Sequence, residues 1–183
     1  MEFRHAGPLR VHVVADATLP DPGHFPRIIR VAHEIWKAGT GVTTRVDDVD
    51  RFVLIRAGHA EVTGVGDAGL DGAGAEAPPL CTHAGTAVLV AAGGRLRLRA
   101  ADDENLTLSI VTARAPGFRQ RLRSDPSPGT AVRRLRSFAE AEALLDGCLL
   151  HAAAGDVLEQ RTATAYFQTF LSLLSSELTA PQP

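Results

Sequence analysis

His33 and Glu34 stand side by side, and an imidazole next to a carboxylate is half of what a metal site needs. Metal ligation requires deprotonated imidazoles and carboxylates that converge on one ion at roughly 2.0–2.2 Å. The other histidines are scattered. His59 and Glu61 alternate on one strand-like segment and so point the same way, with His83 on a segment that can lie near them. They form either a polar cluster or a solvent-facing patch. Arg95, Arg97 and Arg99 also share one face, as a basic stripe for DNA phosphate or an acidic partner, or as the solvated side of a strand. Trp36 offers a flat apolar surface for a ligand ring or for the core. Two chemistries find no motif: there is no Gly-x-Ser-x-Gly around a nucleophile and no phosphate-cradling glycine loop followed by lysine. Cys81 and Cys148 lie far apart and match no metal or redox spacing.

These residues must be positioned by short extended segments. Leu9 to Ala15 alternates as a first strand or an arm, and Thr18 to His24 is a Pro- and Gly-rich loop. Strands are expected near Arg27–Lys37, Val42–Val46, Arg51–Arg56, His59–Thr63, Leu80–His83, Thr86–Ala91, Arg95–Ala100 and Asn105–Arg114, each closed by turn residues. Ala57-Gly58 reads as a turn that sends the chain back. Many short strands at even spacing predict a barrel or sandwich of the jelly-roll kind. Gly64 to Pro79 has no periodicity and reads as a long loop. Ser124 to Gly129 is a linker, and Arg133, Arg134 and Arg136 read as linker charge.

The pattern then changes period. Ser137-Phe-Ala-Glu140 is a capping box that opens a helix carrying Leu144, Leu145, Cys148 and Leu149. Gly155 ends it, and a second helix runs from about Asp156 to Leu178 with Leu158, Tyr166, Phe167, Phe170, Leu171 and Leu174 on its stripe. The expected class is α+β, mainly β: residues 1–115 form the β-unit with its N-terminal arm, and 116–183 a linker and an antiparallel helical hairpin.

Composition excludes several classes. Of 183 residues, 45% are hydrophobic and 22% charged, with net charge −2, so bulk electrostatics calls for no nucleic acid. No apolar run approaches the roughly 20 residues that span a bilayer, and MEFRHAGPLR lacks the apolar stretch of a secretory signal. A reduced, cytoplasmic chain with no membrane partner is the expectation.

The run Ala32-His33-Glu34-Ile35-Trp36-Lys37-Ala38-Gly39, then Arg45, then Asp50 to Gly58, resembles the N-terminal domain of AraC-type transcription regulators. A second block, Ala84 to Gly93, is similar to that family's proline-glycine-aspartate strand, with the prolines and aspartate replaced. The resemblance covers about residues 27 to 113. It implies a cupin-type jelly-roll barrel that binds a small-molecule effector and a helical pair that forms a homodimer. Ligand would enter the barrel mouth under the N-terminal arm or the Gly64–Pro79 loop. In resembling sugar-responsive members an arginine seven residues before the aromatic of the next strand contacts the ligand, a spacing matched by Arg45 and Phe52; Arg45 reads equally as a surface arginine paired with Asp47, Asp48 or Asp50. The implied ligand contacts are Arg45, Trp36, Phe52, His33 and Val31, and the implied dimer contacts Leu144, Phe167, Phe170, Leu171 and Leu174.

Catalytic cupins resemble one another in a metal site of paired histidines, a carboxylate and a later histidine. Here His33 has no second histidine two residues away, and Arg95, Leu96 and Arg97 stand where the later one belongs. Arginine stays protonated and repels a cation. The expectation is therefore no metal, no cofactor and no enzyme, with a stand-alone cupin enzyme on a small metabolite as the alternative. No helix-turn-helix fits before Pro183, so DNA would be reached only through a part absent from this chain, which is either a sensor half or a free-standing domain.

Overall fold

The computed structural model describes residues 10–12, 26–46, 48–65, 79–115, 118, 130–154 and 156–179. Ten strands precede two helices: β1 (Arg10–His12), β2 (Arg27–Trp36), β3 (Gly41–Arg45), β4 (Asp50–Ala57), β5 (His59–Val65), β6 (Leu80–His83), β7 (Thr86–Val90), β8 (Arg95–Ala100), β9 (Leu106–Arg114), β10 (Thr130–Arg134), α1 (Phe138–Ala154) and α2 (Val157–Thr179). They form two antiparallel sheets, ordered β1-β2-β9-β4-β7-β10 and β3-β8-β5-β6. No ladder among the described residues joins the two sheets. The β-unit is thus an open sandwich where a closed barrel was expected.

From β2 to β9 the chain changes sheet at every connection except β5–β6. The Ala57-Gly58 turn therefore crosses to the facing sheet and does not close a hairpin within one sheet. Gly58 makes this crossing with φ of 86°, and a Cβ there would lie 2.4 Å from the Asn105 carbonyl oxygen. Only glycine adopts that backbone without strain and leaves room for Asn105.

Alternation assigns each face. On β4, Val53 and Ile55 face the second sheet, while Phe52 and Leu54 face the helices. Both faces of this strand are covered, which is why it reads as a near-continuous apolar run. The same holds for β7, whose five residues are all buried. β8 shows the opposite case: Leu96, Leu98 and Ala100 face inward, while Arg95 and Arg97 are exposed on the outer side. The basic stripe is the solvated face of that strand.

The molecule has three layers: the four-stranded sheet, the six-stranded sheet and the helical hairpin. Between the sheets lies a core built on Trp36, Val53, Ile55, Leu96, Leu98, Leu106 and Leu108. Between the six-stranded sheet and the hairpin, Phe52 meets Phe118 and Phe167 edge-on, with ring centroids 5.4 and 5.2 Å apart. Such contacts add about 0.5–1.5 kcal/mol beyond the area they bury. Phe167, Phe170, Leu171 and Leu174 are buried in this layer and Leu144 packs against it half-buried. The stripe expected to meet a partner helix is occupied inside the monomer.

Two ionic features fasten the layers. Arg56, at the end of β4, donates to Glu142 at 2.8 Å and to both carboxylate oxygens of Asp146 at 2.6 and 2.9 Å on α1. Burial disfavours its charge, but its hydrogen bonds to Asp146 and Glu142, with the attraction of those carboxylates, outweigh that and raise its pKa above the ordinary arginine value. Asp50, 2% exposed, accepts from the Ala92 and Ala115 amides at 3.1 and 3.0 Å and ties β4 to the chain beyond β7 and β9.

Two local expectations change. Residues 130–134, read as linker charge, form β10, which pairs along β7 and extends the six-stranded sheet. Its TAVRR sequence is too short for a visible period, so its strand state depends on the β7 edge. The N-cap amide of Ser137 is satisfied by Glu177 of α2 at 3.0 Å, so the helix start is capped from the far end of the hairpin. At the start of α2, Asp156 accepts from the Glu159 amide at 2.9 Å as an N-cap. Most of the N-terminal arm, most of the Gly64–Pro79 loop, the 124–129 linker and Gly155 lie outside the described residues.

Candidate functional site

On the inner face of the six-stranded sheet a polar group interrupts the apolar core. Arg30, Glu34, Trp36, Arg51 and Thr44 line a cleft with Val42, Val53, Leu96, Leu98 and Ile110. β2 supplies Arg30, Glu34 and Trp36, alternate positions that share a face beyond the bulge between Ile28 and Arg30. β4 supplies Arg51, and β3, on the facing sheet, supplies Thr44. The cavity holds about 20 Å³, which is room for one water.

Glu34 is the centre of the group. It is 2% exposed, and its two oxygens accept from Arg30 Nη2 and from the Trp36 indole Nε1, each at 2.9 Å. A buried carboxylate held by a guanidinium and an indole N–H is a compensated charge. Arg51 is not compensated to the same degree. Its Nη1 donates to Thr44 Oγ1 at 2.8 Å, and its Nε is buried with no hydrogen-bond partner. Burial first, and then repulsion from Arg30, push the Arg51 guanidinium below the usual arginine range, while Glu34 pulls it the other way. Arginine nevertheless stays charged in proteins. Thr112 of β9 lies between Arg30 and Arg51 in the ladder, pairing with both, and its buried Oγ1 also lacks a partner. Two guanidiniums thus line the cleft with one carboxylate, and Thr112, on the strand between them, carries a second unsatisfied polar atom beside the lining residues.

The residues named from sequence are distributed as follows. Trp36 is in the cleft. Arg45 is exposed at the end of β3, facing outward because its neighbour Thr44 is the one that turns in. Phe52 and Val31 face the helices and belong to the hairpin core. His33 is also on that side, with its Nδ1 3.2 Å from Arg56 Nη1. The seven-residue relation inferred for Arg45 and Phe52 exists one position earlier, as the hydrogen bond between Thr44 and Arg51. A shift of one residue exchanges the faces of a strand. Sequence reasoning missed Arg30, Arg51, Thr44 and Thr112. The signal for Arg51 was its parity with Val53 and Ile55, which placed a charge on a core-facing row.

The described residues at the cleft do not converge on a metal. His33 and Glu34 are consecutive on β2 and point to opposite faces, and Leu96 and Leu98 fill the interior of β8. Among the described residues no three His, Cys, Asp or Glu side chains converge on a common point. His59 and His83 face each other across β5 and β6 with ring centroids 6.4 Å apart, and His59, 68% exposed, is paired with Glu104. That group belongs to the outer surface. No helix among the described residues is long and apolar enough to cross a membrane.

The sequence matches no protein-family model, and no curated protein matches it. Solved structures do match by fold. The YhaK protein from Escherichia coli aligns over 70% of this chain and 52% of its own, with TM-score 0.50 and 16% identity. A cupin protein from Bacteroides fragilis aligns over 50% of this chain and 68% of its own, with TM-score 0.39 and 19% identity. An oxalate decarboxylase variant from Bacillus subtilis aligns over 62% of this chain and 27% of its own, with TM-score 0.45 and 15% identity. This chain spans about half the length of the YhaK chain, and at such identity the likeness concerns the fold alone. The chain is a two-sheet antiparallel domain with two C-terminal helices, and a cupin protein is among the solved structures that it resembles in fold.

Proposed function

We propose that this chain is the cupin-like effector-sensing and dimerisation unit of an AraC-like transcription regulator, which binds a small molecule between its sheets and reaches DNA through a helix-turn-helix part outside these residues. The single observation that carries the binding reading is the cleft. A sandwich core needs no charges, yet here Arg30, Glu34 and Arg51 are set into it, and Arg51 Nε is left buried without an acceptor, at a cost to stability. Buried polar groups that lower stability are commonly retained for function. The route to a response is β4, which carries Arg51 into the cleft on one face and Phe52 and Arg56 against the hairpin on the other. A ligand that alters the strand's position would change how the hairpin sits, provided its affinity differs between the two arrangements. Among the described residues the large apolar side chains that the hairpin leaves exposed are Leu150, Val157 and Leu158, at 69%, 55% and 70% exposure, and a homodimer built on the hairpin would bury these.

A thermal-shift screen against metabolites of different charge tests the reading, because a ligand that binds only the folded chain raises its melting temperature. At least one class should raise it saturably. A flat response to every class, together with sedimentation as a monomer at high concentration, would remove both halves of the proposal.

A further inference from the structure

We infer that Arg51 is the anchor for the carboxylate of a small organic monoacid, received in the cleft by Arg51 Nε and the Thr112 hydroxyl. This rests on the reading that the cleft is the ligand site, and it adds the ligand's chemical class.

The donors already spoken for narrow the choice. Both Glu34 oxygens are engaged, by Arg30 and by Trp36, each at 2.9 Å. Arg51 has its one hydrogen bond to Thr44, and its Nε–H is buried without an acceptor. Thr112, its ladder neighbour beside the lining residues, has a buried hydroxyl that is likewise without a partner. The missing piece is therefore an acceptor for the Arg51 Nε–H. A carboxylate supplies acceptors only and matches the planar fork of a guanidinium. A neutral polyol brings donors that have nothing to meet. A dianion would set a second charge against the apolar rest of the lining. That remainder is apolar, made of Val42, Val53, Leu98 and Ile110, and suits a short aliphatic tail. The free space of about 20 Å³ admits the head group in place of a water. Anything longer must displace side chains, so short acids should bind first.

Trp36 is the chain's one tryptophan and its indole touches Glu34, so its fluorescence reports on the site alone. The experiment titrates the whole chain with sodium acetate, propionate and butyrate, and with the matching neutral amides, at ionic strength held constant with sodium chloride. The acids should give a saturable change and the amides none. Arg51→Met should weaken acid binding at least about tenfold, the scale of a lost charge-assisted hydrogen bond. Thr112→Val, which is nearly isosteric, should weaken it severalfold, and neither variant should lower the melting temperature of the free chain. If amides bind as well as acids and Arg51→Met leaves both unchanged, the carboxylate assignment falls while the binding site stands. If no acid or amide moves Trp36 yet other metabolites raise the melting temperature, the assignment again falls alone. If nothing binds by either readout, both fall together.

Discussion

Replacing Glu34 by glutamine should be among the most damaging isosteric changes this chain can take. Glu34 is 2% exposed and sits 2.9 Å from Arg30, with Arg51 lining the same cleft. At that distance a unit-charge pair is worth several kcal/mol even at an effective dielectric constant of about 20, and the pair's own desolvation has already been incurred. Glutamine keeps the volume and can still accept from the Trp36 indole. What it removes is the negative charge, leaving two arginines facing each other in a poorly solvated space. Removing one partner of a buried pair costs about 3–5 kcal/mol. For a chain of this size each kcal/mol corresponds to about 2–4 °C, so the melting temperature should fall by about 6–20 °C. Urea unfolding followed by far-UV circular dichroism measures it without relying on Trp36, which lies too close to the change to serve as an independent probe. The double variant Glu34→Gln, Arg51→Met should recover at least about 1 kcal/mol, because it removes one of the two like charges. A loss under about 1 kcal/mol for the single variant, or no recovery in the double, would refute the account of these three groups as one coupled charge set.

Three further outcomes follow from the packing. Phe52→Ala empties a site shared by Phe118 and Phe167 and should cost about 3–5 kcal/mol by chemical denaturation, with the hairpin amides losing hydrogen-exchange protection before the sheets do. Gly58→Ala places a Cβ 2.4 Å from a backbone oxygen at a positive φ and should cost more than about 2 kcal/mol; a neutral effect would mean the crossing is built differently. Cys148 is buried and its thiol is pushed up to about 12 by desolvation, whereas Cys81 is exposed. A thiol reagent at pH 8 should therefore modify one cysteine in the folded chain and two in denaturant, and fast labelling of Cys148 in the folded chain would contradict the docked hairpin.

The strand segments and the helical hairpin were legible in the sequence because each carries a local pattern that survives its surroundings. Short strand-forming runs, alternating in β8 and continuously apolar in β4 and β7, closed by glycine or aspartate turns, marked β2 to β9, and the 3.6-residue stripe through Phe167, Phe170 and Leu174 marked α2. The sheet crossings were not legible: a turn such as Ala57-Gly58 looks the same whether it returns beside its own strand or passes to the other sheet. β10 carries no period of its own and exists because β7 offers a free edge. The site was read one residue out of register. Arg45 and Thr44 differ by a single position, and nothing local to β3 says which of them points inward; the facing strand decides it by placing Leu96 opposite Thr44 and Arg95 opposite Arg45. His33-Glu34 looked like one chemical unit, yet strand geometry splits it, sending the histidine to the hairpin side and the carboxylate to the cleft. The hairpin's stripe suggested a second chain because the sequence does not show that β2, β4, β7 and β9 present an apolar outer face to receive it.

The central claim is that the space between the sheets, at Arg51, receives a small molecule. The most direct measurement is the proton–nitrogen correlation of the single Trp36 indole, followed while any compound that raises the melting temperature is titrated in. The account predicts that this resonance moves saturably, with the same affinity as the thermal stabilisation, and that Arg51→Met weakens both. A compound that stabilises the chain saturably while the Trp36 resonance stays fixed would place the binding site elsewhere and contradict the claim.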